Sequence, residues 1–155
     1  CGLSRRVGRL LSGSPAQWRS VGGWSDEPGT TTEEERQHSR QAIGWMEVVV
    51  SRYTPTRLDK GMKLENHHED MTGQMDCIDE SINTTTYLTL FEQQGYLRWH
   101  RVTDRAYRGA LLDAHWAAQV EQVDTGVNYI IDSWFQDNGM LPYIAKSAEW
   151  VDLRW

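Results

Sequence analysis

Apolar side chains recur at helical spacing in the first half of the chain. Ala42, Ile43, Met46, Val49, Val50 and Tyr53 fall along one face of a 3.6-residue turn. Ahead of them, Thr32-Glu33-Glu34-Glu35 reads as a capping box. The Thr32 hydroxyl and Glu35 carboxylate would satisfy the open amides of the first turn, and the acidic run suits the positive end of a helix. Pro55 ends this helix by Tyr53 or Thr54. A second helix is predicted from Asp76 to Gln94, with Ile78, Ile82, Leu88 and Phe91 at mixed helical spacings and Gly95 placed to terminate it. Thr84-Thr85-Thr86 sits in its centre and has poor helix propensity, so packing has to override propensity there.

The second half changes period. Tyr96–Val102 alternates with period two, as a strand does. A linker with Asp104, Arg105 and Gly109 follows. Residues 114–123 and 127–131 flank Asp124-Thr125-Gly126, which is hairpin chemistry. Trp134 to Gly139 reads as a loop. The tail from Leu141, with Ile144, Trp150, Val151, Leu153 and Trp155, suggests a last short helix or strand. Residues 1–30 read as a tether or loosely structured segment, with Arg5, Arg6 and Arg9 around Val7, Leu10 and Leu11 as either a short amphipathic helix or part of that tether, and a turn-rich stretch from Gly22 to Gly29. Residues 56–75 look like a long polar loop. Helices first and an antiparallel sheet afterwards make an α+β class, with one domain over residues 31–155.

Composition narrows the functional classes. The net charge of -6 argues against nucleic acid as the main partner, because phosphate binding needs a basic field. No apolar run approaches the length of a membrane span. Two cysteines, Cys1 and Cys77, make neither a disulfide framework nor a four-ligand zinc site. The Cys1-Gly2 start is what a bacterial lipoprotein shows once its leader has been removed. Cys1 is therefore a candidate lipidation site, which would anchor the chain to a membrane and place it in the cell envelope or periplasm. Eight Trp against two Phe is an unusual balance, divided between core and cleft.

Chemistry concentrates at Cys77. A cysteine at a helix start meets a partial positive charge and open amides, which favour thiolate and stabilise an oxyanion on an attacked carbonyl. A thiol nucleophile needs a proton partner, and histidine serves near neutral pH. That histidine needs a group to hold its tautomer. His115 begins one strand of the hairpin and Asp132 ends the other, so the pairing brings them near each other. The helix packed across the sheet would then present Cys77 to His115. Each residue also has a plainer use. Cys77 alone would be a buried thiol, His115 a satisfied strand histidine, and Asp132 a cap for the following turn. Their order and spacing favour the joint catalytic reading.

Three stretches resemble the transglutaminase-like superfamily of papain-like enzymes. Cys77-Ile78-Asp79-Glu80-Ser81, running on to Gln94-Gly95-Tyr96, is similar to its nucleophile helix. Ala114-His115-Trp116-Ala117-Ala118-Gln119-Val120 is similar to its histidine strand. Tyr129-Ile130-Ile131-Asp132-Ser133-Trp134-Phe135 is similar to the strand that ends in its aspartate. The resemblance spans about residues 73–139. It implies a papain-like fold and a Cys77, His115, Asp132 triad. It further implies hydrolysis of a peptide or amide bond through a thioester, with transfer to an amine as a variant, a peptide or protein substrate, and no cofactor or metal. Gln74 becomes a candidate second oxyanion donor, and Trp116 and Trp134, which flank the triad positions, become candidate cleft walls. Met75 stands where many members have glycine, Gly73 lies two positions further upstream, and the threonine-rich helix departs from the usual alanine-rich pattern. The alternative is an envelope binding or scaffold protein that keeps the fold without catalysis. His67 and His68, beside Glu65, Glu69 and Asp70, are read as part of a solvated loop rather than a metal site, since adjacent histidines point in different directions.

Overall fold

The computed structural model describes residues 29–62, 74–109 and 114–153. Cys1, His67 and His68, and with them the tether and the centre of the long loop, lie outside the described residues. Helix α1 spans Thr32–Ser51 and a 3-10 turn spans Pro55–Leu58. Helix α2 spans Cys77–Gln93. Five strands follow: β1 (His100–Val102), β2 (Ala106–Arg108), β3 (His115–Gln122), β4 (Asn128–Asp132) and β5 (Tyr143–Lys146). Helix α3 (Ser147–Val151) closes the described chain. The result is α+β, with three helices and an antiparallel sheet among the described residues.

The helices begin for local reasons. The first cap lies one residue earlier than the capping box read from the sequence. Thr31 is the N-cap, its Oγ1 accepts from the Glu34 amide at 3.1 Å, and the Glu34 carboxylate reaches back to the Thr30 amide at 2.8 Å. Glu35 is thereby released for another task. It is buried, and it accepts from the backbone amides of Arg98 (2.7 Å), Trp99 (3.1 Å) and His100 (3.0 Å) and from His100 Nδ1 (2.8 Å). Those amides are spent on a carboxylate, so the strand expected from Tyr96 starts only at His100. Arg36 Nη1 donates to His100 Nε2 at 3.1 Å, which makes Nδ1 the protonated nitrogen of His100. Helix α2 is capped by Asp76, which accepts from the Asp79 amide at 2.8 Å, and it ends at Gly95 with φ +77° as expected. Two of the three threonines are accommodated because their hydroxyls find partners, whereas the Thr85 hydroxyl is buried without one among the described residues. Thr86 donates to the Ile82 carbonyl at 2.7 Å, and Thr84 is paired with Ser133 at 2.9 Å.

Strand β3 organises the sheet. It pairs with β4 on one edge, and with both β1 (His100↔Gln122) and β2 (Arg108↔His115) on the other. Strand β2 occupies the stretch read as a linker. Three residues are too few to show a period, and the pairing is made by β3 rather than by local pattern. Strand β5 extends the sheet beyond β4 through Ile130↔Ala145, and the tail therefore supplies both a strand and a helix. Alternation divides the sheet into two faces. Ala118, Val120 and Ile131 meet Ile43, Met46, Leu88 and Phe91 of α1 and α2 in one cluster. Ala117, Ile130 and Ala145 meet Trp150 of α3 in another. Each large side chain fully buried in these clusters contributes about 1.5–3 kcal/mol.

Candidate active site

The hairpin brings His115 and Asp132 together. The His115 Nε2 to Asp132 Oδ2 distance is 2.7 Å, and both side chains are almost fully buried, at 4% and 1% exposure. A carboxylate accepts, so Nε2 carries the proton and Nδ1 carries the lone pair of the neutral ring. Asp132 is held in turn. The indole Nε1 of Trp150 donates to the same Oδ2 at 2.9 Å, and the Trp134 amide donates to Oδ1 at 3.3 Å. Three aromatic rings surround the imidazole: Trp134 with its centroid at 5.0 Å, Phe135 at 5.3 Å and Trp150 at 5.7 Å. The imidazole is thus fixed in tautomer by one carboxylate and in orientation by packing.

Cys77 occupies the first turn of α2 as a half-buried free thiol. The backbone amide of Trp116, the residue after His115, hydrogen-bonds to it, and Asp132 lies close enough to act on it electrostatically. The register explains this approach. The β3–β4 ladder runs from Ala118↔Ile131 to Glu121↔Asn128, so β4 has ended its pairing before the level of His115 and Trp116. The mouth of α2 meets the sheet there. The sequence had suggested a helix laid across the histidine face. Instead α1 and α2 cover the Ala118 and Ile131 face, while His115 and Asp132 share the other face with Ala117 and Ile130. The thiol meets the end of the sheet at the backbone amide of Trp116, the residue after His115.

The electrostatics also differ from the expected depressed thiol. Burial pushes Cys77 up. The Trp116 amide pulls it back, the negative charges of Asp76 and Asp132 raise it again, and the Cys77 amide lowers it a little. The net direction is upward, so the resting sulfur is a thiol and not a thiolate. The partial charge of the helix end does not outweigh a half-buried site between two aspartates.

Gln74 is not an oxyanion donor. Its Nε2 donates to the Leu58 carbonyl and its Oε1 accepts from the Lys60 amide at 3.1 Å, so its amide ties the 3-10 turn to the segment before α2. Of the two tryptophans, Trp134 packs on His115. The indole of Trp116 stacks with Tyr107 at 4.9 Å beneath the Arg105 guanidinium at 4.8 Å, and it is the backbone of Trp116 that touches the thiol. Trp150 and Phe135 complete the ring around His115 without having been read from the sequence. Trp150 belongs to an element of five residues, too short for its pattern to say which side chain it meets. Comparison of the chain with protein-family models, curated proteins and solved structures gives no match.

Proposed function

We propose that this protein is a cysteine-dependent acyl hydrolase of the transglutaminase-like, papain-like type, acting on a peptide or amide bond. One observation carries the reading: an imidazole fixed by a carboxylate at 2.7 Å, with the helix-mouth thiol bonded to the very next backbone amide. His115 Nδ1 takes the thiol proton as sulfur attacks the carbonyl carbon. The sulfur–carbon bond forms and negative charge develops on the carbonyl oxygen near the Cys77 amide at the helix end. The oxyanion collapses, the leaving amine takes the proton from His115, and a thioester remains. Water attacks the thioester with His115 as base, releases the acid and restores the thiol. An amine in place of water gives transfer. Since burial holds the resting sulfur protonated, proton removal accompanies attack rather than preceding it.

The raised thiol and the near-complete burial of His115 support a second reading, a binding or scaffold protein without catalysis. A chromogenic ester such as p-nitrophenyl acetate separates the two. The catalytic reading expects acetyl on Cys77 by mass spectrometry, none there in Cys77→Ala, and acylation slowed by on the order of 100-fold or more in His115→Ala. Equal acylation rates in the wild type and folded His115→Ala would rule out the triad. Both readings expect iodoacetamide to react with native Cys77 half-maximally at a pH above that of an ordinary thiol, so the acylation of Cys77 and its dependence on His115 decide between them.

A further inference from the structure

Three buried carboxyl groups lie behind the proposed site, and the mechanism does not use them. Glu47 is on α1, Asp59 directly follows the 3-10 turn, and Glu80 is on the turn of α2 that follows Cys77. Their exposures are 6%, 4% and 4%. Each grips a different part of the molecule. Glu47 Oε2 accepts from the Gly139 amide at 2.7 Å, and its carboxyl stands beside the Ser133 hydroxyl, itself paired with Thr84 of α2 at 2.9 Å. Asp59 Oδ1 accepts from the Met75 amide at 2.7 Å, two residues before Cys77. Glu80 is hydrogen-bonded to Asp59.

Two carboxyl groups bond to each other only through a proton. The Glu80–Asp59 contact therefore holds one. Glu80 Oε2 and Glu47 Oε1 are buried with no hydrogen-bond partner among the described residues, and a charged oxygen in that position is costly. Nearby charge adds to the cost. Asp59 and Glu47 face Glu80, Asp132 of β4 acts on it as well, and Asp137 acts on Asp59. Tyr87 of α2 is buried against Glu47 and Glu80. Lys60, which follows Asp59, is exposed and pairs with exposed Asp137 at 2.7 Å. Among the described residues no group of three such side chains could hold a metal ion. Among the described residues, protons are the remaining means of neutralising the cluster. Burial accordingly pushes Glu80 well above the ordinary glutamate range and Glu47 to about 7.

We propose that Glu47, Asp59 and Glu80 form a proton-holding clasp. It joins the approach to Cys77 to the loop after Asp132, keeping the site assembled in mildly acidic to neutral solution and loosening it as the protons leave. The clasp rests on the hydrolase reading only for its catalytic consequence. The residues are positioning residues, acting through the segments that they hold.

The test uses the full chain and needs no substrate. Thermal midpoints are measured between pH 6 and 9 for the wild type, Glu80→Gln and Cys77→Ala. The wild type should lose roughly 5 °C or more across that range. Glu80→Gln keeps a donor to Asp59 without a titrating proton and should lose the part of that slope that Glu80 contributes, leaving the part from Glu47, whereas Cys77→Ala should keep it all. A wild-type slope in Glu80→Gln would overturn the clasp. Carbon-13 NMR of glutamate carboxyls in the wild type gives a second readout that does not depend on a variant folding. One glutamate carboxyl should titrate near pH 7 and a second well above the ordinary glutamate range. All glutamates titrating near the ordinary value would likewise overturn the proposal. Neither readout depends on acylation of Cys77, so the clasp and the hydrolase reading fail separately.

Discussion

Asp132 is the side chain on which the candidate site turns. It accepts from His115, from the Trp150 indole and from the Trp134 amide, so its charge is solvated by the protein rather than by water. Trp150 therefore does two things: its ring fills the second core and its Nε1 steadies the carboxylate. Trp150→Phe separates them, because the bulk of the ring stays while the donor goes. The variant should fold and lose about 1.5–3 kcal/mol in urea unfolding, the range for a hydrogen bond to a charged group. A loss below about 0.5 kcal/mol would mean that the indole bond contributes little. Cys77 illustrates why position in a helix does not settle reactivity. The helix end favours thiolate, but burial and two aspartates outweigh it.

At the scale of elements, α1 depends on a single cap. Thr31 caps the helix and Thr32 is its first helical residue, with Glu34 closing the reciprocal contact to Thr30. Thr31→Ala should cost about 1 kcal/mol in denaturant unfolding, and Thr32→Ala much less. The reverse order would restore the box that begins at Thr32. The shift by one residue has consequences beyond the cap, because it leaves Glu35 to turn inward and bind three successive amides ahead of β1. Helix start and strand start are thus set by adjacent glutamates with opposite assignments, one at the surface and one in the interior.

Across the whole molecule, buried carboxyls set the pH dependence of stability. Burial pushes Glu35 up, but the His100 bond and the amides of Arg98 and Trp99 more than offset it, and its net value lies below the ordinary 4.5. A lowered carboxyl contributes stability that is present above 4.5 and lost as the pH falls through its folded value. Glu47 acts in the opposite sense. With a value raised from 4.5 to about 7, it binds a proton in the folded chain that the unfolded chain has released, so stability falls as the pH rises through that window. The two together place maximum stability in mildly acidic solution. Glu35→Gln should flatten the acid side of the thermal-midpoint profile below about pH 5 while leaving the neutral side alone. An acid side as steep as that of the wild type would assign the loss to other carboxylates.

The sequence by itself determined the elements whose reasons are local. The period of α1, the Asp76 cap and Gly95 stop of α2, and the Asp124-Thr125-Gly126 turn with the strands on either side of it all rest on neighbouring residues. The hairpin in turn made the His115–Asp132 pair legible, since a short turn fixes which residues come near each other. Tertiary structure alone decided the rest. Strand β2 exists because β3 offers it an edge, Gln74 is spent on a turn fourteen or more residues away, and Trp150 returns from the tail to meet Asp132. It also decided that α2 and the His115–Asp132 pair belong to different faces of one sheet, with the Cys77 thiol at the Trp116 amide. A sequence pattern records which side of an element is apolar, but not which distant surface that side will find. Burial, which sets the protonation of Cys77, Glu47 and Glu80, follows only from that second choice.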